Sequence, residues 1–146
     1  MTIVSGKAVT VSGLSGKELG FRLGQLIQEF GYDDDVDMAL RASIVQVTGE
    51  QLEDEDYRGS VDGVILWWRA DDGDVDDLTD LFVDCTGGIA DDDAPIWLLV
   101  PDQRADLSVP MEDVNDAAGT AGLSVTTTRH LDSGWNAFQV AHGRTF

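Results

Sequence analysis

Val61-Asp-Gly-Val-Ile-Leu-Trp-Trp-Arg69 is the stretch on which the fold turns. Val64 to Trp68 is an unbroken run of β-branched, aliphatic and aromatic residues, short enough for a strand and too short for a buried helix. It lacks the apolar/polar alternation of a strand with one wet face, which predicts a central strand covered on both sides, as in a parallel sheet between helices. A second such run, Pro95-Ile-Trp-Leu-Leu-Val100, follows one helix-patterned segment, and together they make a βαβ unit. In the helix between them Val75, Leu78, Leu81, Phe82 and Cys85 share a face, and Gly87 and Gly88 are expected to end it through positive φ angles.

Upstream, Gly24 suggests a turn and Gln25 to Phe30 a short strand, with a helical reading of Leu26–Phe30 left open. The acidic run Asp33-Asp-Asp-Val-Asp37 then opens a helix with Val36, Leu40, Ile44 and Val47 at three- and four-residue spacing and Gly49 as its stop. Carboxylates there would cap free N–H groups and meet the positive end of the helix dipole. Glu50 to Ser60 is acidic and poor in apolar residues, a surface connection or a partner-binding loop. Downstream, Pro110 suits a first helical turn, with Met111, Val114, Ala117, Ala118 and Ala121 as the inner stripe and Gly122 closing it. Val125–Thr128 and Trp135–Ala141 read as a hairpin around Asp132-Ser-Gly134, with Trp135 half exposed and residues 142–146 a short tail. The predicted fold class is α/β, with a parallel core sheet and an antiparallel C-terminal hairpin. One domain spans residues 19–146 behind a loose N-terminal arm at 1–18.

The chain has 146 residues, with 28 acidic against nine basic side chains and a formal net charge of −19. Such a field repels a phosphate backbone, which excludes nucleic acid as a partner. It suits either a solubilising surface or an acidic face that docks a basic protein surface. No apolar run approaches the roughly 20 residues needed to span a bilayer, no signal-peptide pattern opens the chain, and Cys85 has no second cysteine to pair with. A cytoplasmic protein is expected.

The clustered carboxylates do not have the spacing of a metal loop. In Asp72-Gly-Asp74-Val-Asp76-Asp77 the turn position of an EF-hand falls on Asp77 and its closing position on Val83. Starting from Asp33, the same positions fall on Met38 and Ile44. His130 and His142 stand apart from acidic or cysteine neighbours at ligand spacing. Cys85, on an apolar helix face, reads as a buried thiol of raised pKa. A phosphate-binding turn after the first strand would need several glycines, whereas Glu29-Phe-Gly-Tyr-Asp33 supplies one, with carboxylates where the phosphate would sit. Trp67 and Trp68 must point to opposite faces of their strand. Both fit a core, and one of them, at the C-terminal end of the strand, could instead line a cleft.

Leu19-Gly-Phe-Arg-Leu-Gly-Gln25, Glu29-Phe-Gly-Tyr-Asp-Asp-Asp35, Val64-Ile-Leu-Trp-Trp-Arg69, Ile96-Trp-Leu-Leu-Val-Pro101, Ala121-Gly-Leu-Ser124 and Trp135, in that order, resemble a bacterial family common in actinobacteria, domain of unknown function 3052. The resemblance implies a Rossmann-like three-layer sandwich, similar to a shortened S-adenosylmethionine-dependent methyltransferase whose last helix and hairpin correspond to residues 110–141. It implies no catalytic residues. Of the acidic residue and Gly-x-Gly turn that hold the cofactor in such enzymes, Glu29 and Gly31 are the remnant, and the second strand with its acidic residue is not recognisable.

The function expected is therefore that of a non-catalytic interaction or regulatory domain without a cofactor. Its partner face would be Asp33, Asp34 and Asp35 with Asp71, Asp72 and Asp74, extended by Glu53–Asp56. The alternative is a small-molecule binder or atypical methyltransferase, taking S-adenosylmethionine in a cleft beyond Phe30, Gly31, Trp68 and Pro101. A homodimer would form through the edge hairpin.

Overall fold

The computed structural model describes residues 16–91, 93–102 and 106–142. Most of the arm expected at 1–18, part of the loop after Asp102 and residues 143–146 lie outside the described residues. Among the described residues, five strands and three helices follow in the order β1 (Ile27–Phe30), α1 (Met38–Thr48), β2 (Gly63–Trp67), α2 (Val75–Thr86), β3 (Ile96–Pro101), α3 (Met111–Thr120), β4 (Leu123–His130) and β5 (Trp135–His142). They form one sheet in the order β1-β2-β3-β5-β4. β1, β2 and β3 are parallel and in register, Phe30 opposite Leu66 and Leu66 opposite Leu98. β5 runs antiparallel to both β3 and β4.

Alternation along the two central strands makes the three layers. Val64, Leu66 and Trp68, with Ile96, Leu98 and Val100, face α2 and α3 and pack on Leu78, Phe82, Val114 and Ala117. Ile65, Trp67, Trp97 and Leu99 face the opposite side, where they meet Val36, Leu40 and Ile44 of the α1 segment. Adjacent Trp67 and Trp68 thus enter different cores, as their strand requires. Each fully buried Leu or Phe contributes roughly 1.5–3 kcal/mol. The β2 and β3 runs are buried throughout. Leu19 and Phe21 complete the α1-side core, and the Leu19 carbonyl accepts from Trp97 Nε1 at 2.8 Å.

Several local expectations are corrected. Residues 27–30 are strand, so the helical reading falls. Only Asp37 of the acidic run caps α1, accepting from the Leu40 N–H at 3.0 Å. The buried fourth position of α1 is Thr48 rather than Val47, because Thr48 Oγ1 bonds the Ile44 carbonyl and carries no unpaired hydroxyl inward. Gly87 ends α2 at φ −66°, not with a positive φ. Asp74 and Asp77 close a reciprocal cap at the other end of α2. Met111 is 42% exposed, outside the stripe made by Val114, Ala117 and Ala118. Trp135, expected half exposed, is 5% exposed, with its ring edge-on to Trp67 at 4.9 Å. Within the Glu50–Ser60 connection, Glu53 pairs with the outer edge of β1, its N–H on the Ile27 carbonyl and its carbonyl on the Glu29 N–H. That single bridge covers an otherwise bare sheet edge.

Candidate functional site

Open parallel sheets hold ligands beyond the C-terminal ends of their strands, which here is the edge formed by Phe30, Trp67 and Pro101. Two arginines organise it through their ion pairs. Glu29, on β1 and 5% exposed, receives Arg41 of α1 in a fork, Nε to Oε2 at 2.7 Å and Nη2 to Oε1 at 2.8 Å. Trp67 Nε1 donates to the same Oε2 at 2.9 Å. The bond to Glu29 raises the Arg41 pKa above its ordinary value against the opposing effect of burial. Tyr32 lies under the Arg41 guanidinium, 4.5 Å from it. Both Glu29 oxygens and the buried indole N–H are therefore satisfied internally.

Arg69 is the second anchor. It leaves β2 with its side chain 7% exposed and turns back over the strand ends. Nε and Nη2 grip Asp35 at 3.0 and 2.5 Å, while Nη1 donates to the Gly31 carbonyl at 2.8 Å and approaches Asp72 at 3.4 Å. The Trp135 ring lies 5.3 Å beneath the guanidinium, and its Nε1 donates to the Asp35 carbonyl. Burial opposes the Arg69 charge, but Asp35 and Asp72 outweigh it and the pKa rises. The bond to Arg69 holds the Asp35 carboxyl below the usual carboxylate range. A buried guanidinium with this many partners fixes the loops after β1 and β2 to one another.

Gly31 shows why the first loop can lie so close. Its φ is +77°, and a Cβ there would stand 2.2 Å from the Trp67 carbonyl oxygen. The bare glycine face is turned to the neighbouring strand.

Phe30, Gly31 and Trp68 are brought together with Arg69 and Asp72 around a cleft of about 290 Å³. Pro101 is not part of it. It lines a separate concavity of about 450 Å³ with Asp106, Leu107 and Trp135. Of the acidic residues, Asp33, Asp34 and Asp71 are exposed, and Asp74 is engaged in its cap. Asp35 and Asp72 are held by Arg69. Sequence reasoning alone misses Arg69 and Arg41. With nine basic residues among 28 acidic ones, an arginine directly after a buried strand is the available signal, because a cation there must find a carboxylate.

No group of three or more His, Cys, Asp or Glu among the described residues is placed to hold a metal ion, and no described helix is long and apolar enough to cross a membrane. His130 is exposed, with Nδ1 2.7 Å from Asn136 Oδ1 and 3.5 Å from Asp102. Cys85 is wholly buried and its Sγ donates to the Phe82 carbonyl. Burial first, and the nearby Asp84 charge second, push its thiol up to about 12 from 9.0. A thiol-reactive dye at pH 8 is therefore expected to label Cys85 only after denaturation. Because the native pKa is raised, the thiol stabilises the fold below about pH 9, and this contribution falls as pH rises toward 12. Cys85→Ala is expected to remove that alkaline component from the stability profile, and rapid native labelling would contradict the assignment.

The sequence matches the family described as "Protein of unknown function (DUF3052)" over residues 16–144. The chain belongs to this family. The uncharacterized protein Rv2239c of Mycobacterium tuberculosis is 37% identical over 129 residues, 88% of this chain and 78% of that protein. Among solved structures, the pyocyanin biosynthetic protein PhzM superposes with a TM-score of 0.61 at 14% identity, covering 83% of this chain and 51% of PhzM. The chain thus spans about half the length of PhzM. Magnesium protoporphyrin IX methyltransferase (ChlM) of Synechocystis PCC 6803, with bound S-adenosylmethionine, gives 0.55 at 13% identity, covering 94% of this chain and 79% of ChlM. At these identities the likeness is one of fold: this DUF3052 chain has a Rossmann-like architecture, the fold of those structures.

The residues at its strand ends do not fit S-adenosylmethionine. Both Glu29 oxygens are taken, Arg69 occupies the Gly31 carbonyl, and the Gly31 N–H points to Glu55 Oε2 at 3.3 Å. The glycine face that could admit a ligand lies on Trp67 instead.

Proposed function

We propose that this DUF3052 protein is a non-catalytic, cytoplasmic interaction or regulatory domain on a degenerate methyltransferase-like fold. One observation supports this best. Arg41 holds Glu29, and Arg69 holds Asp35, Asp72 and the Gly31 carbonyl, so these strand-end groups serve to fix the loops rather than to receive a cofactor. Those loops present Asp33, Asp34 and Asp71 on one edge with their backbone already fixed. Charged groups on a rigid frame bind an oppositely charged surface with little ordering cost. The partner this edge suits is a basic protein surface.

The test is capture from the source cell's lysate at low and moderate salt. Raising salt from 0.1 M to 1 M shortens the screening length from about 10 Å to about 3 Å, so a genuine partner is expected to be released. Asp33→Asn/Asp34→Asn/Asp71→Asn is expected to lose it at low salt. Capture indifferent to both changes would defeat the acidic-face reading. Millimolar S-adenosylmethionine is expected to leave the melting temperature unchanged. A saturable rise would transfer support to the alternative of a small-molecule binder or atypical methyltransferase, since a ligand bound only to the native state stabilises it.

A further inference from the structure

On the outer side of β1, between that strand, the turn at 54–59 and the C-terminal end of α2, lies a cavity of about 440 Å³. Gln28 forms part of its wall and is 4% exposed. Its Nε2 donates to the carbonyls of Asp54 at 3.0 Å and Tyr57 at 3.1 Å, which fixes the orientation of the amide. No donor among the described residues reaches Oε1. A Cβ on Gly88 would stand 3.6 Å from that oxygen, so the bare glycine leaves it open to the cavity. Gly88 is not needed for its backbone angle, because it is absent from the positive-φ glycines. A buried amide oxygen without a donor is destabilising unless something in the cavity supplies one.

The remaining charged groups on the wall are two carboxylates and one guanidinium, a net negative charge. Glu55 and Asp84 place carboxylates on the wall, with Arg58 exposed among them. The last turn of α2 contains no basic residue, so the negative end of its dipole is uncompensated there. Phe30 and Tyr57 supply apolar surface. The volume falls within the roughly 300–1,000 Å³ of small-molecule sites.

We propose that this cavity binds a small organic cation carrying N–H donors on a flat apolar body, an aryl amidine or guanidine in chemical type, with one N–H on Gln28 Oε1 and its charge near Glu55 and Asp84. The inference shares Glu55 with the acidic face expected from the sequence, but nothing with the Asp33, Asp34 and Asp71 edge proposed as the docking face. It turns on Gln28 and Gly88, which do not belong to that face.

Benzamidine is the probe, with neutral benzamide and anionic benzoate as controls, titrated into the full chain and followed by amide proton–nitrogen correlation spectra. Benzamidine is expected to give saturable shifts below about 20 mM, largest at Gly87, Gly88 and the Gln28 side-chain amide and limited to the cavity lining. Benzamide is expected to bind more weakly and benzoate not at all. Gly88→Ala, whose added Cβ has no contact closer than 3.6 Å, should fold normally and weaken benzamidine roughly five-fold by crowding the acceptor. Asp84→Asn, at an exposed position, should weaken it without altering the fold. Absence of saturable shifts, equal affinity for benzoate, or benzamidine binding unchanged in Gly88→Ala would overturn the proposal and leave the cavity to water.

Discussion

Gly31→Ala is expected to destabilise the protein by about 3 kcal/mol, the sum of a left-handed non-glycine residue and an overlap that only backbone movement can relieve. The φ of +77° is available to alanine at a cost of roughly 1–2 kcal/mol. The 2.2 Å approach to the Trp67 carbonyl is a different matter, because that oxygen belongs to the end of a central strand and cannot rotate away. The loop after β1 must lift, which also strains the Arg69 bond to the Gly31 carbonyl. Gly24 is the control. Its φ is +86°, and a methyl group placed there would have nothing within 4 Å, so Gly24→Ala should cost only about 1 kcal/mol. For a chain of this size the difference corresponds to a melting temperature lower by several degrees, measurable by calorimetry or urea titration. A glycine serving a ligand would behave otherwise, tolerating alanine in the unbound protein. Equal losses in the two variants would show that the close approach to Trp67 is not what Gly31 is for.

The layers are legible because β2 and β3 are written as uninterrupted apolar runs. Val64–Trp68 and Ile96–Val100 have no polar residue to permit a wet face, and their alternation into two cores follows from strand geometry alone. Gly49 is equally legible as a helix boundary. What fails to show has no local signature. Glu53 meets β1 through one bridge, too short to leave a periodicity. Gly87 and Gly88 read as backbone hinges, because a sequence does not distinguish glycine chosen for φ from glycine chosen for space. Trp135 reads as half exposed because its burial depends on Arg69 and Trp67, both distant in sequence. The cleft residues Phe30, Gly31 and Trp68 follow from strand ends, and the same rule groups Pro101 with them although β3 ends beside another concavity. The acidic runs conceal a division of labour. Asp37 caps, Asp35 and Asp72 hold Arg69, and Asp33, Asp34 and Asp71 face outward, with composition identical and environment deciding.

Arg69→Met is the substitution that connects this division to function, with an expected loss of about 3 kcal/mol. Methionine can fill the volume above Trp135, so the loss reports the charge and its bonds more than a cavity. The Gly31 carbonyl then lacks its donor and Asp35 its fork, while Asp35, half exposed, regains some hydration. That solvation keeps the loss at the low end for a broken buried pair. The pH profile supplies a second readout. The native pKa of Asp35 lies below its unfolded value, so its share of the stability is present above about pH 4 and lost as pH falls through the lower native value. Arg69→Met removes that share, and its stability should fall less steeply than the parent's as pH drops below about 4. Parallel acid limbs would show that Asp35 and Arg69 are not coupled in solution. Freed of Arg69, the loops carrying Asp33, Asp34 and Asp71 lose their common anchor, so partner capture should weaken well below the melting temperature although none of those three carboxylates has changed. S-adenosylmethionine should not restore the lost stability, because Glu29 remains locked by Arg41 and Trp67. Restoration by the cofactor would mean that the arginine had displaced a ligand from a site still able to receive it.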